Sequence, residues 1–194
     1  KLLKKLWPFI NMSWIEIKKI FLLFLTWRLG LFAAAFLATL IIPTFGNRFP
    51  YADQLLIPTG LPSWIWGFGN FDGVHYLRIV LMGYESSQFS QAFFPLYAIF
   101  IKIVTAQSGS FIWALFFSNL IFLFSLVVFY KLVQLDLNKR TSLKSVALLI
   151  LFPTAFYFGS LYSEALFFFL TISSIYLFRQ KNYLAAGVYA SLSS

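Results

Sequence analysis

Three long apolar runs constrain this chain more than any other feature. Ile20–Ile42 holds 23 residues with a single charge, Arg28. As a helix it reaches roughly 34 Å, enough to cross the hydrocarbon core of a bilayer. Phe111–Tyr130 is 20 residues without any charge, and Leu143–Phe178 is 36 residues interrupted only by Lys144 and Glu164. The last run is too long for one span and reads as two. Charged residues make up 11% of the sequence, where a soluble domain carries about a quarter. The expected fold is therefore all-α, a polytopic helical bundle integral to the membrane.

The distribution of basic residues sets orientation. Lys1, Lys4, Lys5, Lys18 and Lys19 precede the first run. Lys131, Lys139, Arg140 and Lys144 surround the gap before the third, and Arg179 with Lys181 follow Phe178. Short positive segments next to spans mark the cytoplasmic side. A nucleic-acid surface would instead gather its cations on one folded face, so the net charge of +9 does not imply nucleic acid as a partner. There is no cysteine, which excludes disulfides and thiolate metal sites. The first run is too long for a cleaved signal peptide and reads as a retained anchor. The chain begins at Lys1 and stops inside an apolar stretch, as expected of the amino-terminal part of a longer protein.

The resulting organisation is a single transmembrane domain over 1–194. Residues 1–19 form a cytoplasmic interfacial segment and 20–42 a span. An extracytoplasmic loop with interfacial or re-entrant helices follows over 43–110. Further spans are expected at 111–133, 143–159 and 164–178, with another beginning at 183–194. Residues 92–106, apolar but short and containing Pro95 and Lys102, are expected to lie along or dip into the outer leaflet. Only this arrangement keeps both later basic loops inside.

The loop is where chemistry concentrates. Asp53, Asp72, Glu85 and Glu164 fall at the outer face, and Glu16 and Asp136 inside. Asn70–Phe71–Asp72–Gly73–Val74–His75–Tyr76–Leu77–Arg78 is the densest polar stretch. If Asp72 opens and caps a helix, His75 and Arg78 follow at i+3 and i+6 on its face. Sugar transfer from a phosphate-linked donor needs such a set: a carboxylate to take the acceptor proton and cations for the departing phosphate. The plainer reading is that Asp72 caps a juxtamembrane helix and pairs with Arg78. Tyr162–Ser163–Glu164 is the second polar stretch. A mid-bilayer carboxylate costs about 2.5–3.5 kcal/mol and then marks function, but at an outer turn it can simply be solvated. Arg28 can snorkel to the inner interface or enter the bundle. No ligand spacing supports a metal site.

Phe71–Asp72–Gly73–Val74–His75–Tyr76, then Gly83–Tyr84, then Ala92–Phe93–Phe94–Pro95–Leu96–Tyr97 resemble the first luminal loop of the PIG-V-type mannosyltransferases, enzymes of the GT-C fold. Ser118–Asn119–Leu120, Phe152–Pro153–Thr154–Ala155 and Tyr162–Ser163–Glu164–Ala165–Leu166–Phe167 fit the same family in the same order. The family's usual Trp before the Asp is Phe71 here, and Ala98 follows Tyr97 where Pro is common. The resemblance implies a polyprenyl- or dolichyl-phosphate-linked sugar donor, with mannose as the sugar. It implies a lipid- or protein-linked acceptor, and inverting displacement without metal or other cofactor. Asp72 becomes the catalytic base, with His75, Tyr76, Arg78, Glu85, Tyr162 and Glu164 as substrate-binding residues. The membrane would be the plasma membrane of a prokaryote or the endoplasmic reticulum of a eukaryote. A transporter or flippase, and a silent subunit of a transferase complex, are the competing readings.

Overall fold

The structure, a computed structural model, describes residues 12–42, 50–86 and 90–193. The segment 1–11, which holds most of the expected interfacial stretch, lies outside them. Among the described residues every regular element is helical: α1 (Trp14–Ile41), α2 (Ala52–Leu55), α3 (Ser63–Trp66), α4 (Asp72–Met82), α5 (Pro95–Val104), α6 (Phe111–Val133), α7 (Lys139–Leu151), α8 (Glu164–Arg179) and α9 (Tyr183–Ser193), with 3-10 turns between. Two of these, α1 and α6, are long and apolar enough to cross a membrane. Apolar side chains such as Leu22, Leu29, Phe36, Leu37 and Leu40 stay exposed along α1, as lipid-facing residues do. Arg28 does not share that exposure. It is buried among protein groups, which places it in the packing rather than at a snorkelling edge.

The stretch expected to span over 143–159 is bent in the structure. Helix α7 ends at Leu151, and the 3-10 turn Pro153–Gly159 leaves at 86°. The cause is local. Pro153 brings no amide hydrogen and disfavours helical backbone at the residue before it. Phe152 accordingly adopts φ −65°, ψ 138°. Helix α5 holds ten residues, about 15 Å of rise, half the thickness of the hydrocarbon core. Helix α8 has 16, about 24 Å.

The chain divides into two compact units. One comprises the chain up to Arg28, Leu120–Phe156 and the residues from Glu164 on; the other comprises Leu29–Asn119 and Tyr157–Ser163. In the first unit Glu16 is the hub. Ser13 and Glu16 form a reciprocal capping box: Ser13 N donates to Glu16 Oε2 at 2.8 Å and Glu16 N donates to Ser13 Oγ at 3.3 Å. The other carboxylate oxygen accepts from Tyr130 Oη at 2.8 Å and Gln134 Nε2 at 3.3 Å, and pairs with Lys139 Nζ at 3.2 Å. One side chain thus joins the start of α1, the end of α6 and the start of α7. Asn138 caps α7 by accepting from Thr141 N at 3.0 Å. Arg179 binds Asp136 through both guanidinium nitrogens, at 2.6 and 3.0 Å, and holds that carboxyl below the usual carboxylate range. Helices α8 and α9 pack together, with Ser174 Oγ donating to Ala186 O at 2.8 Å.

Glu16→Ala removes the carboxylate half of the capping box and the acceptor of the buried Tyr130 hydroxyl, which keeps only the bond from Gln134 Nε2, so it should destabilise the detergent-solubilised protein by about 1–3 kcal/mol. Lys139→Ala, at a side chain 74% exposed, should cost under about 1 kcal/mol. Thermal unfolding of the two variants side by side checks the difference.

Candidate functional site

The second unit builds its centre on α4. The approach is a glycine-rich 3-10 turn, Gly67–Gly69. A Cβ on Gly69 would come within 2.6 Å of the Phe111 ring and 2.9 Å of Leu56, so a side chain there would displace both. Asn70 then extends, and Phe71 takes φ 59°, ψ −120° before the helix begins. Positive φ at a bulky residue costs about 1–3 kcal/mol and tends to occur at functional sites. Asp72 opens α4 as expected, but as its first helical residue. Phe71 occupies the capping position, without a side-chain cap. Asp72 is exposed, and its charge sits at the positive end of the helix.

Helical periodicity then sorts the motif. Gly73, Val74, Tyr76, Leu77, Ile79 and Val80 are buried, and His75 and Arg78 are partly exposed on the other side. Tyr76 is therefore a packing residue in this structure, its ring edge-on to Phe93 at 5.2 Å and Tyr97 at 4.6 Å. His75 stacks on Phe93 at 4.9 Å and meets the Tyr51 ring at 5.7 Å. Burial pushes its pKa down, opposed by the nearby Asp72 charge and assisted by Arg78. At neutral pH His75 is uncharged, so the fixed cation of this face is Arg78. Arg78 Nη1 donates to Gln54 Oε1 at 3.3 Å, and the guanidinium lies 4.2 Å from the Tyr51 ring centre. Its partners are thus on α2 and the residue before it.

Glu85 is exposed in the 3-10 turn Tyr84–Ser86. The axis from Asp72 to Met82 is about 15 Å long, so Glu85 is carried to the opposite end of the helix. The adjacent Tyr84 hydroxyl donates to Phe93 O at 2.8 Å. The later motifs return to the same unit. Tyr97 Oη and Ser118 Oγ share a hydrogen bond of 2.7 Å. Asn119 Nδ2 donates to Leu115 O at 2.8 Å and reaches Gly159 O at 3.4 Å. Leu161 N donates to Phe68 O at 2.8 Å, and Leu161 O lies 3.2 Å from where a Gly73 Cβ would stand. Tyr162, buried and 5.6 Å from the Tyr157 ring, is thereby brought within a residue of the contact on Gly73. Glu164 opens α8 and belongs to the first unit.

Gly73 is where α4 meets the Leu161 backbone. Gly73→Val should push the Leu161 backbone away, at about 1–3 kcal/mol of stability. It should also reduce the protein's activity, because the same contact positions the start of α4. Thermal unfolding checks the first effect.

Two residues of this site, Tyr51 and Gln54, carry no signal in the sequence. They lie 24 to 27 positions before the side chains they touch, in a loop without periodicity. A family model described as Mannosyltransferase (PIG-V) matches residues 17–193. No curated protein and no solved structure matches the chain.

Proposed function

The chain belongs to the PIG-V mannosyltransferase family and is a membrane glycosyltransferase, and on that premise we propose that it transfers mannose from a polyprenyl-phosphate-linked donor to a lipid- or protein-linked acceptor at the extracytoplasmic face. The protein crosses the membrane several times in this reading, with α4 presented outside. Asp72 takes the proton of the acceptor hydroxyl as that oxygen forms its bond to the anomeric carbon. The bond from the anomeric carbon to the donor phosphate breaks on the opposite face, inverting configuration. The electron pair leaves on the polyprenyl phosphate, whose charge Arg78 meets. His75, neutral, donates or accepts one hydrogen bond beside it, and Glu85, Tyr162 and Glu164 remain substrate-binding candidates.

The observation that supports this most is the gathering of separated motifs around one helix. Residues 71–78, 92–97, 118–119 and 157–162 fall in a single unit, joined by the contacts Tyr76–Tyr97, Tyr97–Ser118, Asn119–Gly159 and Leu161–Gly73, while 152–155 and 164–167 fall in the other. A broken helix such as the one at Pro153 is also a device of transporters. Here Leu161, two residues beyond the turn that follows it, lies against Gly73, next in sequence to the proposed base. The test is incubation of membranes containing the protein with radiolabelled polyprenyl-phosphate-mannose. A mannosylated product that is absent from membranes lacking the protein is expected. No labelled product at verified expression, with lipid- and protein-linked acceptors both supplied, would sink the reading.

A further inference from the structure

The loop ahead of α4 makes contacts that packing alone does not require. Tyr51 holds left-handed backbone, φ 64°, ψ −2°, although it is neither Gly nor Asn. That conformation is costly for an aromatic residue, and it places one ring against two side chains of α4. The ring lies 4.2 Å from the Arg78 guanidinium and 5.7 Å from the His75 ring, nearly perpendicular to it at 86°. Three residues on, exposed Gln54 accepts from Arg78 Nη1 at 3.3 Å. An exposed arginine retains much rotamer freedom. Here its plane is covered by an aromatic ring and its edge is held by an amide oxygen.

We propose that Tyr51 and Gln54 are positioning residues, which fix Arg78 and His75 as one preformed recognition pair for the phosphate of the sugar donor. The proposal rests on the reading of Arg78 as the group that meets the leaving phosphate. Phosphate charge grows as the sugar departs, and a donor held in place beforehand stabilises that charge without first being ordered. A loose guanidinium has to be immobilised during the reaction, which costs about threefold to tenfold. A displacement of about 1 Å costs up to about a hundredfold. The effect should appear in kcat more than in KM, because the charge is largest in the transition state.

The test is a double-mutant cycle on the protein in membranes, with radiolabelled polyprenyl-phosphate-mannose as donor. Tyr51→Leu should lower kcat/KM at least about tenfold, mostly through kcat, and Tyr51→Phe, which keeps the ring, should recover most of that loss. In an Arg78→Met background Tyr51→Leu should cost less than about threefold, since it acts through the missing guanidinium. Gln54→Leu, at an exposed position, should cost about threefold to tenfold alone and almost nothing in that background. It serves the same purpose if Tyr51→Leu fails to accumulate. Equal losses in both backgrounds would overturn the proposal, because Tyr51 and Gln54 would then act independently of Arg78. Full activity of Tyr51→Leu and Gln54→Leu, with Asp72→Asn inactive, would overturn it and leave the transferase reading standing. Near-normal transfer by Asp72→Asn and Arg78→Met would overturn both.

Discussion

Asp72→Asn is expected to lower mannose transfer by at least about a hundredfold while expression and membrane insertion stay at wild-type levels. An acceptor hydroxyl is a poor nucleophile, and proton removal in the transition state contributes about 10²–10⁴-fold. The substitution keeps size and shape and removes basicity and charge. The structure makes the stability side of this expectation specific. Asp72 is exposed at the first position of α4, and Phe71 occupies the capping position. Its interaction with the helix dipole is lost, about 0.3–1 kcal/mol, along with its charge beside His75. Asp53→Asn, at an exposed acid of the same loop in α2, should change transfer little. Initial rates and thermal unfolding, measured on both variants, check the pair. Transfer by Asp72→Asn within about threefold of wild type would remove Asp72 as the base, and Glu85 or Glu164 would then have to supply it.

Arg78→Met should have the second largest effect, a fall in kcat of about a hundredfold. Removing one preorganised donor to developing oxygen charge costs about 10²–10³-fold. The lower end applies here, since Arg78 is partly open to solvent. With the His75 pKa pushed down by burial, no second cation on this face of α4 shares the load at neutral pH. Arg78→Lys should restore only part of the rate, because an ammonium offers neither the planar fork nor the stacked face that lies against Tyr51. Steady-state kinetics with labelled donor separate kcat from KM. An unchanged kcat with a raised KM would show that Arg78 binds the donor equally in ground and transition states.

How much of this was legible in the sequence depends on the range of the interaction. Helices α1 and α6 follow from runs of apolar residues long enough to cross a bilayer, and they form where the runs are. Helix α4 begins at Asp72 as its spacing implies, because a helix start is a local event. The cap did not follow: Phe71, at positive φ, takes the capping position and Asp72 becomes the first helical residue. Pro153 was in plain view, yet the apolar run over 143–159 reads as continuous, because hydropathy carries no information about backbone geometry. Tyr76 sits in the same motif as His75, but a single turn of helix sends its ring into the core beside Tyr97. Tyr51 and Gln54 were illegible. Their role depends on a loop folding back across 24 residues, and nothing in their identity announces it.

The insertion of Tyr157–Ser163 into a unit otherwise made of Leu29–Asn119 has a consequence for biosynthesis. The stretch through Asn119 is made first, and the strip that covers Gly73 is translated about 40 residues after it. At about 5–20 residues per second that is a wait of about 2–8 seconds. During it the contact of Leu161 on Gly73 is missing. A nascent chain arrested just after Asn119 should therefore be open to proteases within Leu29–Asn119, and one arrested well beyond Ser163 should resist them.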